Sequence, residues 1–518
     1  MTSTLNYTEN YTTNQLVLPL DLGIILPNDS EVHTYLELTK GIKLEKYFGN
    51  NSNTGRLPKN RVKIMNAILF GYMIGYRSTR RLEEACKNDI RFMYLIRGMA
   101  GPSHTLINNV MNEIKEKLDS LLLEINQEIM KREEIDLERL YIDGTKIEAD
   151  ANKYTFKWKK SIEKHREKLY LKITKEIKKY NEIIPGHGYR AITITEKYKT
   201  KNLEKIVNRL KGLMDYLGLE LVYGKGNRKT PIQRLYDDFR ECSDKLQEYE
   251  KDLTIIGPNR NSYSKTDHDA TFMHMKEDHM RNAQLKPGYN IQIGVSNEYI
   301  MVVEAFQNGA DQLTFEPLLE KYNVMYDQYP TYPVADAGYG SYDNYTYCLK
   351  NGMELYQKYG MWEKERSSQF KKEIYQVENL KRNSKGEYVC PNNKTFEWVR
   401  DYKSKYKRYD HTMSEYECFH CAKCQQKNKC TKAKGNRTIT ILHGYQEMKD
   451  KVKENLASPL GIELRTQRSI QVEGAFGVIK EDMKFRRFTR TMFSGIRLEI
   501  NLIAIGYNLK KFHNKKFR

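Results

Sequence analysis

The amino-acid sequence predicts an α/β protein, a mixed sheet flanked by helices, with an N-terminal all-helical domain, a long helical insertion and a small cysteine-rich insertion. Three observations predict it. Short β-branched runs occur in LERLYIDGTKIEADAN, PGYNIQIGVSN, EYIMVVEAFQNG and YPVADAGYGS. Residues 161–258, between the first and second of these runs, carry apolar stripes at helical spacing. Five of the eight cysteines fall between positions 390 and 430.

Residues 1–55 read as an arm ending in a short helix. Residues 56–135 are helical: Met65, Ile68, Leu69 and Tyr72 share one face, Ser78 and Thr79 offer an N-cap before RRLEEAC, and Asp89 offers another before IRFMYLIR. Gly101, Pro102 and Ser103 then open one long helix with Ile107, Val110, Ile114, Leu118, Leu121 and Ile125 in a 3/4 rhythm. Short helices in tight succession with Arg80 and Arg81 among them suit a helix-turn-helix-like DNA reader; an ordinary helical bundle gives the same pattern. Residues 136–160 begin the sheet, with Asp143 closing a strand before Gly144. In the helical insertion, 161–258, Thr230 and Pro231 take the favoured N-cap and N1 positions of the last helix. Residues 259–380 resume the sheet, with a hairpin turning at Asn297 and Glu298 and a strand ending at Asp336. The cysteine-rich insertion spans 381–440, and 441–518 is helical and basic.

At 518 residues the chain is long enough for about three or four folding units of ~100–200 residues. No apolar run approaches the ~18 residues of a membrane span, and the first fifteen residues hold no Lys or Arg, so no signal peptide is expected. Lys plus Arg number 87 against 67 Asp plus Glu, a net charge of +20 with pI near 9.2, which favours polyanionic partners. A Lys-rich proteome produces the same balance. Residues 480–518 alone hold eleven Lys or Arg against three acids, with Phe485 and Phe488 interleaved among Arg486, Arg487 and Arg490. Such aromatics either stack on distorted DNA or pack a helical core, the commoner use.

Asp143 and Asp336 each close a strand before glycine-containing turns, and Glu473 lies on a helix within VEGAFGVI. Strand ends gather side chains at a sheet rim, and a helix laid across that rim adds a third ligand. Hard Mg²⁺ or Mn²⁺ takes oxygen ligands, and two such ions ~3.5–4 Å apart clamp the attacking and leaving oxygens of a phosphoryl displacement. Each acid alone is an ordinary turn or surface carboxylate, and Asp267 and Asp269 of TDHDATFMHMKED compete with them. Wider context separates the candidates. YIDGTKIEADANKYTFKWKKS, SKTDHDATFMHMKED with PGYNIQIG, ADAGYGSYDNY and RSIQVEGAFGVIKEDMKFRRF, in this order, resemble the DDE transposases of bacterial insertion sequences, and the likeness extends over most of residues 40–515.

The resemblance implies a ribonuclease-H-like core, with Asp143, Asp336 and Glu473 on the family's metal-binding triad and Lys480, seven positions after Glu473, on the same helix face. It also implies an Arg at position 469. Ser469 stands there, flanked by Arg468 and Arg465. The implied function is binding of an element's terminal inverted repeats, with Mg²⁺-dependent cleavage and strand transfer into target DNA. A homodimer would hold both ends, in the bacterial cytoplasm at the nucleoid. DNA contacts are expected from Arg80, Arg81, Lys480, Arg486, Arg487 and Arg490. A catalytically silent DNA-binding descendant and a nuclease without strand transfer are the alternatives. In CFHCAKCQQKNKC, Cys418, Cys421 and Cys424 stand at x2 spacings with Cys430 six further on. This spacing suits one structural Zn²⁺, with Cys390 or His420 as substitute ligands. Reduced loop thiols are the plainer reading, and a catalytic thiol lacks a base.

Overall fold

A computed structural model describes residues 26–49, 59–97, 99–224, 226–275, 284–404 and 408–518; most of the arm expected over 1–55 and the end of TDHDATFMHMKED lie outside them. Asn60 accepts from the Lys63 N–H at 3.1 Å and opens the helix Arg61–Met73, which buries Ile64, Met65, Ile68, Leu69 and Tyr72. Thr79–Asn88 and Ile90–Leu95 come next, the latter capped by Asp89 through the Arg91 N–H at 2.9 Å. The long helix expected from Ser103 is instead two, His104–Ile114 and Leu118–Met130, joined by a 3-10 turn at Lys115–Lys117. All three side chains of that turn are exposed, while the stripe from Ile107 to Ile125 stays buried.

The strands are β1 (Arg139–Glu148), β2 (Phe156–Trp158), β3 (Ser262–Ser264), β4 (Thr271–His274), β5 (Leu285–Ser296), β6 (Tyr299–Phe306), β7 (Tyr332–Gly340) and β8 (Tyr356–Tyr359). In the main sheet β6, β5, β1, β7 and β8 lie side by side, with β4 along the first half of β5. β1 runs antiparallel to β5 and parallel to β7, which is parallel to β8. An antiparallel meander extended by two parallel strands, with helices Phe315–Tyr326 and Tyr342–Lys350 between them in sequence, is the ribonuclease-H-like arrangement. The β5–β6 hairpin turns where expected: Asn297 and Glu298 both take positive φ, 48° and 70°, as a primed two-residue turn requires.

Two expected strand ends fall inside strands. β1 continues past Asp143 to Glu148, because the next residue does not turn the chain but makes room. A Cβ on Gly144 would lie 2.0 Å from Nε2 of Gln292 on β5. β7 likewise continues past Asp336 to Gly340, although its pairing with β8 breaks register between Ala335 and Gly340.

β2 and β3 pair at the base of the helical insertion, whose helices Lys159–Ile183, Thr200–Tyr216 and Pro231–Ile256 close a core of their own around Ile173, Tyr180, Leu210 and Phe239. Thr230 caps the third through the Gln233 N–H at 3.1 Å. The cysteine-rich insertion is a three-stranded antiparallel sheet, Glu397–Lys403, Thr412–Cys418 and Arg437–Leu442, with a core of six buried residues.

The helix Met492–Lys516 packs against Arg61–Met73, Leu118–Met130 and β6, so the N-terminal helices, the sheet and the C-terminal helix share one hydrophobic core. Gly506 permits the approach: a Cβ there would stand 2.5 Å from the Tyr72 carbonyl oxygen. Asn508 completes the sheet edge, its Oδ1 accepting from the Ile300 N–H at 2.8 Å and its Nδ2 donating to the Ile300 carbonyl at 2.8 Å. Among the described residues no helix is long and apolar enough to cross a membrane.

Candidate active site

The parallel ladder between β1 and β7 pairs Arg139 with Tyr332, Leu140 with Pro333 and Tyr141 with Val334, then stops. Two residues beyond the last pair, Asp143 and Asp336 stand level on strands that are no longer bonded to each other. Asp143 is buried and its Oδ1 accepts from the Gly144 N–H at 2.7 Å. Asp336 is half-exposed, with its Oδ1 held by the Gly338 N–H at 2.8 Å. Both turn their second oxygen to one guanidinium: Arg468 Nη2 lies 2.7 Å from Asp143 Oδ2 and 3.8 Å from Asp336 Oδ2.

Arg468 comes from a helical run that changes pitch along its length, α at Pro459–Arg468, π at Ser469–Glu473, α at Gly474–Gly477 and π at Val478–Asp482. A π turn inserts one residue and rotates the rest of the helix beyond it, and such turns concentrate at functional sites. Across the π turn a separation of five between Arg468 and Glu473 replaces a separation of four in an α-helix. Arg465 instead bonds the Gly461 carbonyl of its own helix at 3.2 Å.

The remaining candidates divide. Glu473 is exposed, on a turn that packs over β1 and β5. Among the described residues no group of three or more His, Cys, Asp or Glu side chains is gathered to hold an ion, so Glu473 is not drawn onto the two aspartates. Lys480 is half-buried beside the second half of β1. Arg80 and Arg81 are exposed, Arg81 over the ring of Tyr76 at 3.8 Å. Arg486 pairs with Glu481, Arg487 with Asp150 at 2.9 Å, and Arg490 donates to Asn108 at 2.8 Å. Phe485 and Phe488 are buried edge to face at 5.1 Å, so they pack the core. The competing acids are structural: Asp267 accepts from Tyr289 Oη at 2.9 Å and the Met492 N–H at 3.3 Å, and Asp269 from the Phe493 N–H at 2.8 Å. Together they cap the C-terminal helix.

Sequence reasoning missed Asp311. Its Oδ1 accepts from Asn290 at 2.7 Å and Gln292 at 3.1 Å, and a Cβ on Gly338 would sit 3.1 Å from an oxygen of Asp336 and 3.7 Å from Asp311 Oδ2. The Tyr339 hydroxyl donates to Gln292. Burial, then the charges of Asp143, Asp311 and Asp336, push that phenol well above its ordinary range, so it remains a donor. NGADQ, where Asp311 stands, has no strand or helix pattern to mark it.

The five clustered cysteines share one cavity, but among the described residues no three of them are gathered closely enough to hold an ion. Cys390, Cys418, Cys421, Cys424 and Cys430 line one cavity of about 20 Å³. Each sulfur meets an N–H: Lys394 N to Cys390 at 3.3 Å, His420 N to Cys418, Arg437 N to Cys421 at 3.4 Å, Asn392 Nδ2 to Cys424 at 3.7 Å and Arg437 Nη1 to Cys430 at 2.9 Å. Burial foremost, with help from the neighbouring thiols, pushes the Cys418 thiol up to about 12.

Compared with known families, residues 389–513 match a transposase DDE domain and residues 27–113 a transposase domain of the DUF772 type. The first match takes in Arg468, Glu473 and Lys480. No curated protein and no solved structure matches the chain.

Proposed function

Because the chain is a DDE transposase of the insertion-sequence kind, we propose that it binds the terminal inverted repeats of its element, cleaves a phosphodiester there and transfers the freed strand into target DNA. The observation that carries the reading is the shared guanidinium: two carboxylates on neighbouring strands already converge on a single cation, so their oxygens suit a hard divalent ion. Asp143 and Asp336 would hold Mg²⁺ or Mn²⁺, with Glu473 joining from the helix above. When bound, such ions lower the pKa of an attacking water and stabilise the leaving oxygen. Arg468, once its carboxylates are engaged, is left to bind a phosphate oxygen. Tyr339, Gln292 and Asn290 fix Asp311 beside the pair. The wild-type chain should nick end DNA only with Mg²⁺ or Mn²⁺. Asp143→Asn, Asp336→Asn and Glu473→Gln should each abolish nicking with end binding retained, and full activity in any one would remove that residue from the site. Two ends per element call for two active sites, hence a homodimer in the synaptic complex.

The cysteine cavity is proposed to take one structural zinc, held by four of the thiols Cys390, Cys418, Cys421, Cys424 and Cys430. N–H donors aimed at sulfur work against the burial that raises the Cys418 thiol, and a cavity of about 20 Å³ is close to the ~10–15 Å³ minimum for one small occupant.

A further inference from the structure

A second cavity, of about 160 Å³, opens beside the C-terminal half of β1 and is lined by Lys146, Glu148, Lys286, Lys480, Phe485 and Arg486. Four cations thus face one carboxylate. That carboxylate is already engaged, with Lys286 at 3.2 Å from one oxygen and Lys153 at 3.6 Å from the other. Arg486 pairs with Glu481. Lys146 differs: it is half-buried, and its ammonium has no hydrogen-bond or ion-pair partner among the described residues. A partly desolvated ammonium beside three like charges costs stability, and a fold that keeps one has an anion to meet.

We infer that this cavity binds a backbone phosphate of the DNA and that Lys146 is its principal ligand. The inference rests on the transposase reading for the identity of the polyanion, and on the cavity alone for the anion. Lys146 lies three residues after Asp143 on one strand, ~10 Å along it at ~3.3 Å per residue and on the opposite face of the pleat, so the phosphate it binds is a different one from that held at the carboxylates. Lys480 would then act from the far wall of the same cavity, and the role implied for it would be shared with a residue of the catalytic strand. The contact is to phosphate, so it positions DNA without reading its sequence.

The test uses the full chain and Lys146→Met, which keeps the length of the side chain and removes its charge. Anisotropy titrations with an element-end duplex and a random duplex across a salt series should show about tenfold weaker binding of both at ~0.15 M salt, with the log–log salt slope shallower by about one. Lys146→Arg should restore the slope. The midpoint of thermal unfolding of Lys146→Met should stay level or rise, and inorganic phosphate should raise that of the wild type but not of the variant. An unchanged slope in Lys146→Met, with the wild type binding DNA, overturns the site and leaves the transposase reading standing. Wild-type protein that is stabilised by phosphate yet binds no duplex defeats that reading instead, and with it the DNA identity of the ligand. A midpoint that falls while DNA binding is unchanged makes Lys146 a packing residue and overturns the inference.

Discussion

Replacing Arg468 by Gln should loosen β1, and divalent cation should tighten it again. The guanidinium lies 2.7 Å from an oxygen of Asp143, and both side chains are nearly buried, 14% and 12% exposed. At an effective dielectric of ~20 this contact carries about 6 kcal/mol of attraction, most of it offset by desolvation of the two groups. The second contact, at 3.8 Å to an Asp336 side chain 40% exposed, adds under about 1 kcal/mol. Removing one partner of a buried pair leaves the other charge uncompensated and typically costs about 3–5 kcal/mol. The lower end applies here because Asp143 keeps the Gly144 N–H. Hydrogen exchange followed by mass spectrometry over residues 139–148 reads this directly, since about 3 kcal/mol corresponds to opening about 100-fold more often. In EDTA the Arg468→Gln chain should exchange there about 100-fold faster than wild type. With free Mg²⁺ at ~100 times its Kd, about 2.7 kcal/mol returns and most of the difference should vanish. Wild type should gain less from Mg²⁺, which must first displace the arginine. Equal protection of the two proteins in EDTA would refute the reasoning, as would a loss that Mg²⁺ leaves untouched.

Purified protein should retain about one zinc per chain by elemental analysis; Cys421→Ser should lose it, whereas zinc-free, well-folded protein would return the cluster to plain thiols. Burial, working against hydrogen bonds from Thr489 and the charges of Arg77 and Arg490, holds the Glu499 carboxyl above its ordinary range. A carboxyl raised in the folded state contributes stability below its unfolded pKa and loses it as pH rises through the folded value. Glu499→Gln should therefore gain on wild type in urea unfolding between pH 4.5 and pH 7.5; an advantage that shrinks over that range would contradict the direction of the shift. Asp267→Asn should cost about 1–3 kcal/mol by weakening a buried acceptor of the Tyr289 hydroxyl, whereas Asp269→Asn should nick end DNA at a substantial fraction of the wild-type rate. Loss of nicking in folded Asp269→Asn would place that acid in the chemistry.

What could be read from residues was what local pattern encodes. Alternating β-branched runs located the β5–β6 hairpin to its two turn residues, and helical stripes located the insertion with its Thr230 cap. Strand ends were less legible: Asp-Gly at 143 and 144 has turn chemistry, and only the neighbouring strand reveals that Gly144 is there to admit Gln292. The contact of Arg468 with both aspartates was hidden for a related reason: spacing rules assume one helical pitch, and the π turn at Ser469–Glu473 breaks that assumption. Asp311 and Lys146 were invisible because each acquires its meaning from residues far away in the chain, on β5 for the first and on β5 and the segment after Glu473 for the second.

The position of the C-terminal helix has a consequence for how the protein is made. Asn126 is joined to Asn508 by a 2.7 Å hydrogen bond across a sequence separation of 382 residues, and the helices around Asn126 bury their apolar faces against that last helix. At ~5–20 residues per second a ribosome needs about 20–75 s to pass from one to the other. Throughout that interval the N-terminal helices are outside the tunnel with a face that nothing yet covers. The nascent chain is therefore most dependent on chaperones early in its synthesis. A stop codon anywhere before position 492 should yield insoluble product rather than a smaller working protein, so the fold itself works against a truncated enzyme that retains the carboxylates.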